Sequence, residues 1–205
     1  LLSQSQLLQW RSKAVNDGYE PGSTFKVLTL AMALEDGAAN RNSTFYCGGS
    51  VVVDGKDIGC SNKNGHGQQT LAEAVGHSCN PAFMKMALGV RSAPFYDYLD
   101  AFGLFDKTGV DLPGEGRSVF IDREEFCSHD IDLAAYCFGQ NFNVPPIQLI
   151  AAQAACINGG YLYQPYVVEK ELDGDGNVVK QHDATPVRQV VSEETSAMVR
   201  ECLEY

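Results

Sequence analysis

Tyr19-Glu20-Pro21-Gly22-Ser23-Thr24-Phe25-Lys26 is the stretch from which the rest of this chain can be read. A proline-glycine turn runs straight into an apolar helical pattern, and the first hydroxyl of that pattern is Ser23. Lys26 follows three residues later, so both side chains lie on one helix face, one turn apart. A serine hydroxyl becomes a useful nucleophile when a neighbouring base takes its proton. A lysine serves as that base when burial or nearby cations depress its pKa. The helix N-terminus adds free N–H groups and partial positive charge, which suit the anionic intermediates of acyl transfer. The plain alternative is an N-capping serine beside a solvated lysine.

Outward from this turn, Phe25, Val27, Leu28, Leu30, Ala31, Met32 and Leu34 make a helix apolar on most sides, with Gly37 as its stop. Upstream, Leu1 to Lys13 is weakly helical, with Leu7, Leu8 and Trp10 as apolar members. Residues 44–60 read as a hairpin turning at Asp54-Gly55 and flanked by Cys47 and Cys60. Thr70-Leu71-Ala72-Glu73 is a capping box. The helix it starts breaks at Gly76-His77-Ser78-Cys79-Asn80, and Pro81 opens another, running to about Leu88. Ser78 and Asn80 therefore sit on a tight corner between helices. Phe95 to Phe102 reads as a helix, and Gly103 to Asp130 as a surface excursion. Pro146 to Asn158 is an apolar helix, Val167 to Lys180 a second hairpin, and Ser192 caps a last helix.

The 205 residues are 44% apolar and 20% charged, enough for one domain with a real core. A net charge of -11 argues against nucleic acid and against docking on an acidic membrane surface. No apolar run approaches a membrane span, and no signal peptide opens the chain. The chain starts at Leu1-Leu2-Ser3-Gln4 without methionine and stops inside a helical pattern at Glu201 to Tyr205. The expectation is a single domain over 1–205, trimmed at both ends.

Ser-x-x-Lys at Ser23 to Lys26, followed by Ser78-Cys79-Asn80, is a motif pair with known chemistry. The whole segment Tyr19 to Lys26 resembles the nucleophile segment of class B, monofunctional penicillin-binding proteins. Gly65-His66-Gly67, Ser78 to Phe83, Asp111-Leu112-Pro113-Gly114-Glu115 and Pro146-Ile147-Gln148-Leu149 fall where that family has similar stretches. The resemblance runs from about Trp10 to Tyr205. It implies an α+β transpeptidase fold, here mostly the helical subdomain with short hairpins and an incomplete antiparallel sheet. It implies a peptidoglycan D,D-transpeptidase on the extracytoplasmic face of a bacterial membrane, with the anchor outside this chain. By motif match Ser23 attacks a stem peptide's D-Ala-D-Ala, Lys26 is its base, Ser78 relays protons and Asn80 holds the donor's amide. β-Lactams acylate the same serine, catalysis needs no cofactor, and cell-wall synthesis proteins are expected partners.

Two departures qualify the resemblance. Lys107-Thr108-Gly109 has the letters of the family's third motif, but it lies in a loop that is not catalytic in the family. The family's Lys-Thr-Gly strand would follow the last helix seen here, so this chain alone is expected to be inactive. Gln140-Asn141 stands where the family usually has Gln-Gly, which leaves the local backbone open. The rival readings are an acyl-serine β-lactam sensor or β-lactamase-like protein, and a non-catalytic fragment that binds cell-wall partners.

Seven cysteines add a second theme. Cys47, Cys60, His66 and Cys79 are spaced C-x12-C-x5-H-x12-C, a closed set for structural Zn²⁺. Some elongation-type members of the family are similar in having zinc at matching positions, with other ligand types at two of them. A Cys47–Cys60 disulfide and free thiols are the competing readings. Cys127, Cys137, Cys156 and Cys202 read as structural, and His77, His129 and His182 as surface or cap residues.

Overall fold

Leucine, alanine and methionine are strong helix formers, and a helix apolar all round can only be stable at the centre of its domain. In the computed structural model, which describes Ser3, Gln6 and residues 9–205, that helix spans Lys26–Glu35, with Leu28, Leu30, Ala31, Met32 and Ala33 fully buried. It is α2, preceded by the short α1 (Lys13–Asn16) and a 3₁₀ turn, Gly22–Phe25. The N-terminal helical reading is only partly testable, because Leu7 and Leu8 lie outside the described residues. Trp10 is exposed and takes no part in the core.

Around α2 are packed α4 (Asn80–Val90), α8 (Pro146–Ile157) and α9 (Glu193–Leu203). The capping box at Thr70 forms as read and starts α3 (Leu71–Gly76). Ser192 accepts from the Thr195 N–H at the start of α9, and the Glu35 carboxylate in turn accepts from the Ser192 N–H and hydroxyl. That link ties the end of the central helix to the start of the last one.

The strands form four separate two-stranded antiparallel sheets among the described residues. β2 (Ser50–Val53) and β3 (Lys56–Gly59) are the expected hairpin, with Asp54 and Gly55 both at positive φ in its two-residue turn. β1 (Thr44–Cys47) pairs instead with β4 (Gly67–Thr70), setting Cys47 opposite Gly67. β5 (Tyr161–Tyr163) pairs with β8 (Pro186–Gln189), and β6 (Lys170–Leu172) with β7 (Val178–Gln181).

The stretch from Gly103 to Asp130 corrects the sequence reading. After α5 (Ser92–Ala101), residues 103–122 are loop, but Arg123–Ser128 is a helix, α6, capped by Asp122. α7 (Asp130–Tyr136) follows at once. Phe126 is fully buried, with ring centroids 4.8 Å from Tyr136 and 5.3 Å from Tyr96. This segment is a wall of the core, hidden in the sequence because each helix is under two turns long and carries acids on its outer face.

Candidate active site

A 3₁₀ turn stacks residues i and i+3 directly above one another. Because Gly22–Phe25 is 3₁₀ and not α-helical, Lys26 stands over Ser23. No side-chain capping bond forms at the start of either helical piece, which excludes the plain N-cap reading of Ser23. Ser23 is exposed, whereas Lys26 is only 4% exposed.

The second half of the site comes from the corner between α3 and α4. The Ser78 N–H bonds to Val75 O and the Cys79 N–H to Ala74 O, closing the chain with Ser78 at φ 50°. A positive φ is costly for serine and persists where surrounding contacts over-determine it. Here those contacts converge on Lys26. Its Nζ lies 2.7 Å from the Ser78 carbonyl oxygen, 2.6 Å from Asn80 Oδ1, 3.0 Å from Ser78 Oγ and 3.2 Å from Ser23 Oγ. Asn80 is itself fixed, its Nδ2 donating to the Gly59 carbonyl at 3.1 Å.

These partners fit a neutral amine. Two of them, a backbone carbonyl and an amide oxygen, can only accept, so they take the two amine hydrogens. With the proton lost, the lone pair would face the two hydroxyls, either of which can donate to it. Burial, the largest influence, lowers the Lys26 pKa from its ordinary 10.5, with the sulfurs of Cys137, Cys60 and Cys79 pulling weakly the other way. No carboxylate pairs with it among the ion pairs of the described residues. Desolvation without a counter-charge is the arrangement that makes a lysine a base.

The turn that carries Ser23 is strapped from behind. The Gly22 N–H donates to the Gly139 carbonyl at 2.9 Å, and a Cβ at Gly139 would sit 2.2 Å from Gly22 O, at φ 80°. Gly139→Ala is expected to destabilise the fold by about 2–4 kcal/mol through backbone clash and strain. Thermal unfolding checks this; an unchanged Tm contradicts the strap. Asn141 resolves the neighbouring question. It takes φ 68°, a left-handed conformation that asparagine tolerates, and its N–H bonds to the Glu20 carboxylate at 3.0 Å.

Ser23 opens onto a cavity of about 450 Å³ walled by Asn80, Phe138, Gln140, Asp57 and Lys63. Lys107-Thr108-Gly109 is not there. The Glu115 carboxylate accepts from the Thr108 N–H and hydroxyl and from the Gly109 N–H, so this tripeptide is a loop clasp.

The four metal-ligand candidates also converge, their ligand atoms all within 4.8 Å of one another. Cys60 Sγ is 3.7 Å from His66 Nδ1, close to the edge of a tetrahedron with Zn–S about 2.3 Å and Zn–N about 2.0 Å. All seven cysteines are free, Cys47 and Cys60 included. Burial pushes the Cys79 thiol up to about 11, while for Cys60 burial is outweighed by the Asn62 and Asn80 N–H groups and the Ser61 hydroxyl, which lower its pKa. Donor type and spacing thus fit a structural zinc ion. Sequence reasoning missed two supports. Gln69 is buried, with its Nε2 donating to Cys79 Sγ at 3.3 Å and its Oε1 2.9 Å from His77 Nδ1. His77 is exposed and C-caps α3, as the surface-or-cap reading has it, and it also stacks on His66 with ring centroids 4.7 Å apart. β4 points Gln69 inward, an orientation that follows from its pairing with β1. Cys137 and Cys156 are buried as expected, but Cys127 is exposed. His182, another surface assignment, stacks on Tyr166.

Comparison with known proteins gives a consistent neighbourhood. The family described as penicillin binding protein transpeptidase domain matches residues 2–205. Stage V sporulation protein D of Bacillus subtilis is 40% identical over 196 residues, covering 95% of this chain and 30% of that protein. Peptidoglycan D,D-transpeptidase FtsI of Escherichia coli K12 is 28% identical over 160 residues, covering 78% of this chain and 26% of that one. The chain thus spans less than a third of the length of these curated relatives. Among solved structures, the D,D-transpeptidase domain from Eggerthella lenta superposes with a TM-score of 0.85 at 25% identity, covering 94% of this chain and 49% of that one. Penicillin binding protein 3 from Mycobacterium tuberculosis, complexed with aztreonam, gives 0.83 at 26% identity, covering 94% and 42%.

Proposed function

Since the chain belongs to the penicillin-binding protein transpeptidase family, we propose that it carries the serine half of a D,D-transpeptidase that cross-links peptidoglycan stem peptides. The observation that carries this reading is the buried Lys26 amine, held by the Ser78 carbonyl and Asn80 Oδ1 within hydrogen-bond distance of both Ser23 Oγ and Ser78 Oγ. Lys26 takes the Ser23 proton as Oγ attacks the carbonyl of the penultimate D-alanine. The proton passes through Ser78 to the departing amine, the C–N bond breaks, and D-alanine leaves an ester on Ser23. An acceptor amine then attacks that ester, forms the new amide and returns a proton to Oγ. Asn80, immobilised by Lys26 and Gly59, offers its side-chain amide to the donor peptide. A β-lactam follows the first step only, because its leaving amine stays tethered and blocks the acceptor.

The substrate places this activity on the extracytoplasmic side of a bacterial membrane, with other cell-wall synthesis proteins as partners. Among the described residues no helix is long and apolar enough to cross a membrane. Cys47, Cys60, Cys79 and His66 would hold one Zn²⁺, whose contribution is a cross-link between the β2–β3 hairpin and the corner that carries Ser78 and Asn80; it supplies no step of the reaction.

Fluorescent penicillin tests the main reading on two forms: this chain, and one extended at its C-terminus through a Lys-Thr-Gly strand. That strand contributes an oxyanion donor, and one such donor is worth about 10²–10³ in rate. Labelling is expected in the extended form and little in the shorter one. An unlabelled extended form removes the catalytic assignment.

A further inference from the structure

α4 opens on Asn80, and a helix brings residues three apart onto one face, a turn from each other. Phe83 is therefore carried beneath Asn80, yet it has no part in the steps given to Ser23, Lys26, Ser78 and Asn80. It is 1% exposed, and its ring face lies under the Lys26 amine, with Nζ 5.3 Å from the ring centroid. An ammonium within about 6 Å of an aromatic face is attracted by the ring's quadrupole, most strongly where water is excluded. Next to this contact is a pocket of about 90 Å³ with apolar walls from Val27, Leu30, Val75, Phe83 and Leu203. α3 and α9 present Val75 and Leu203 to it, while Glu73 is held in the Thr70 cap and Glu201 by Arg41. The titratable groups that act on the amine are the thiols of Cys137, Cys60 and Cys79, after α7, after β3 and before α4. Asp57 and Lys63 wall the cavity beyond Ser23. No carboxylate pairs with Lys26 among the described residues.

The Ser78 carbonyl and Asn80 Oδ1 hold the amine whether it is neutral or charged. The ring face gains its attraction when the nitrogen becomes a cation. On the transpeptidase reading, that happens as Lys26 takes the Ser23 proton and Oγ bonds to the acyl carbon. An interaction stronger in the transition state than before it raises the rate of the chemical step. We propose that Phe83 is a positioning residue for acylation: its ring face seats the Lys26 nitrogen and stabilises the ammonium that forms there as Ser23 attacks. This rests on the transpeptidase reading and adds a residue to its machinery. A buried carboxylate in the same place would hold the lysine protonated and spoil it as a base. A ring face attracts the cation more weakly, so the amine can still lose its proton. The charge is also transient, because the proton moves on through Ser78 to the leaving nitrogen.

The test uses the full-length protein with Phe83 replaced by phenylalanines carrying one, two and three ring fluorines. Fluorine withdraws electron density from the ring face and nearly keeps the ring's shape. The rate of penicillin acylation is followed across pH for each form. The high-pH plateau is expected to fall stepwise with fluorine number, reaching about tenfold at three, as the cation–π attraction is lost. The pH of half-maximal rate should fall in the same order, because the ammonium of the free protein then gives up its proton sooner. The profiles therefore cross, with the fluorinated forms no slower at low pH. Phe83→Leu, still apolar, should move plateau and midpoint in the same directions. Lost packing would lower the plateau without moving the midpoint and without following fluorine number. A plateau indifferent to fluorine, or one that falls with a fixed midpoint, overturns the proposal and leaves the transpeptidase reading intact. If penicillin fails to acylate the unmodified protein, that broader reading fails and the role of Phe83 falls with it.

Discussion

Lys26→Met is expected to slow acylation of Ser23 by penicillin about 10²–10⁴-fold, the worth of a positioned general base. Methionine keeps a long apolar side chain in the buried position and removes only the nitrogen. Every polar contact that orients the amine is lost together: Ser23 Oγ, Ser78 Oγ, the Ser78 carbonyl and Asn80 Oδ1. The extended form with Lys26 intact should show a matching pH signature. Only the neutral amine can accept the serine proton, so the acylation rate must rise with pH as Lys26 loses its proton. Burial places that rise below the ordinary lysine value of 10.5. A stopped-flow or gel-based rate series across pH, on both proteins, checks the pair. A rate that is flat in pH and insensitive to Lys26→Met would mean that another group activates Ser23.

The second large effect concerns the cysteine-histidine cluster. Metal bound only by the folded state adds its binding energy to stability, and structural zinc sites bind strongly. If the cluster holds zinc as proposed, chelation or Cys79→Ser should lower Tm by about 10 °C or more, on a scale of roughly 2–4 °C per kcal/mol for a domain of this size. Cys127 is exposed and stands outside the cluster, so Cys127→Ser is the matched control. Cys79 lies between Ser78 and Asn80, and its loss should therefore loosen the Lys26 contacts as well. A chain that carries no metal after purification in reductant, with a Tm indifferent to chelator, ends the zinc proposal.

The parts of this site that were readable in the sequence are those fixed by local chemistry. A Pro-Gly turn before an apolar run had to open a helix, and a spacing of three put Ser23 and Lys26 on one face. The capping box at Thr70 and Pro81 bracketed the corner that carries Ser78 and Asn80. The Asp54-Gly55 turn folded Cys47 and Cys60 towards each other. The unreadable parts depend on pairings between distant segments. β1 pairs with β4 across the intervening hairpin, and that register is what turns Gln69 inward onto Cys79 and His77. α6 and α7 escaped because two helices of six and seven residues give too short a pattern to separate from an acidic loop. The one misjudged detail at Ser23 was helix type. A 3₁₀ start, not an α-helical one, brings Lys26 over Ser23 and leaves the serine exposed while the lysine is buried.

The most direct test is to locate the acyl group itself. The extended form is incubated with a penicillin, digested, and the adduct mapped by mass spectrometry. A single adduct on the peptide containing Ser23, absent from Ser23→Ala, is the predicted result. An adduct on any other residue, or one that persists in Ser23→Ala, would contradict the assignment of Ser23 as the nucleophile.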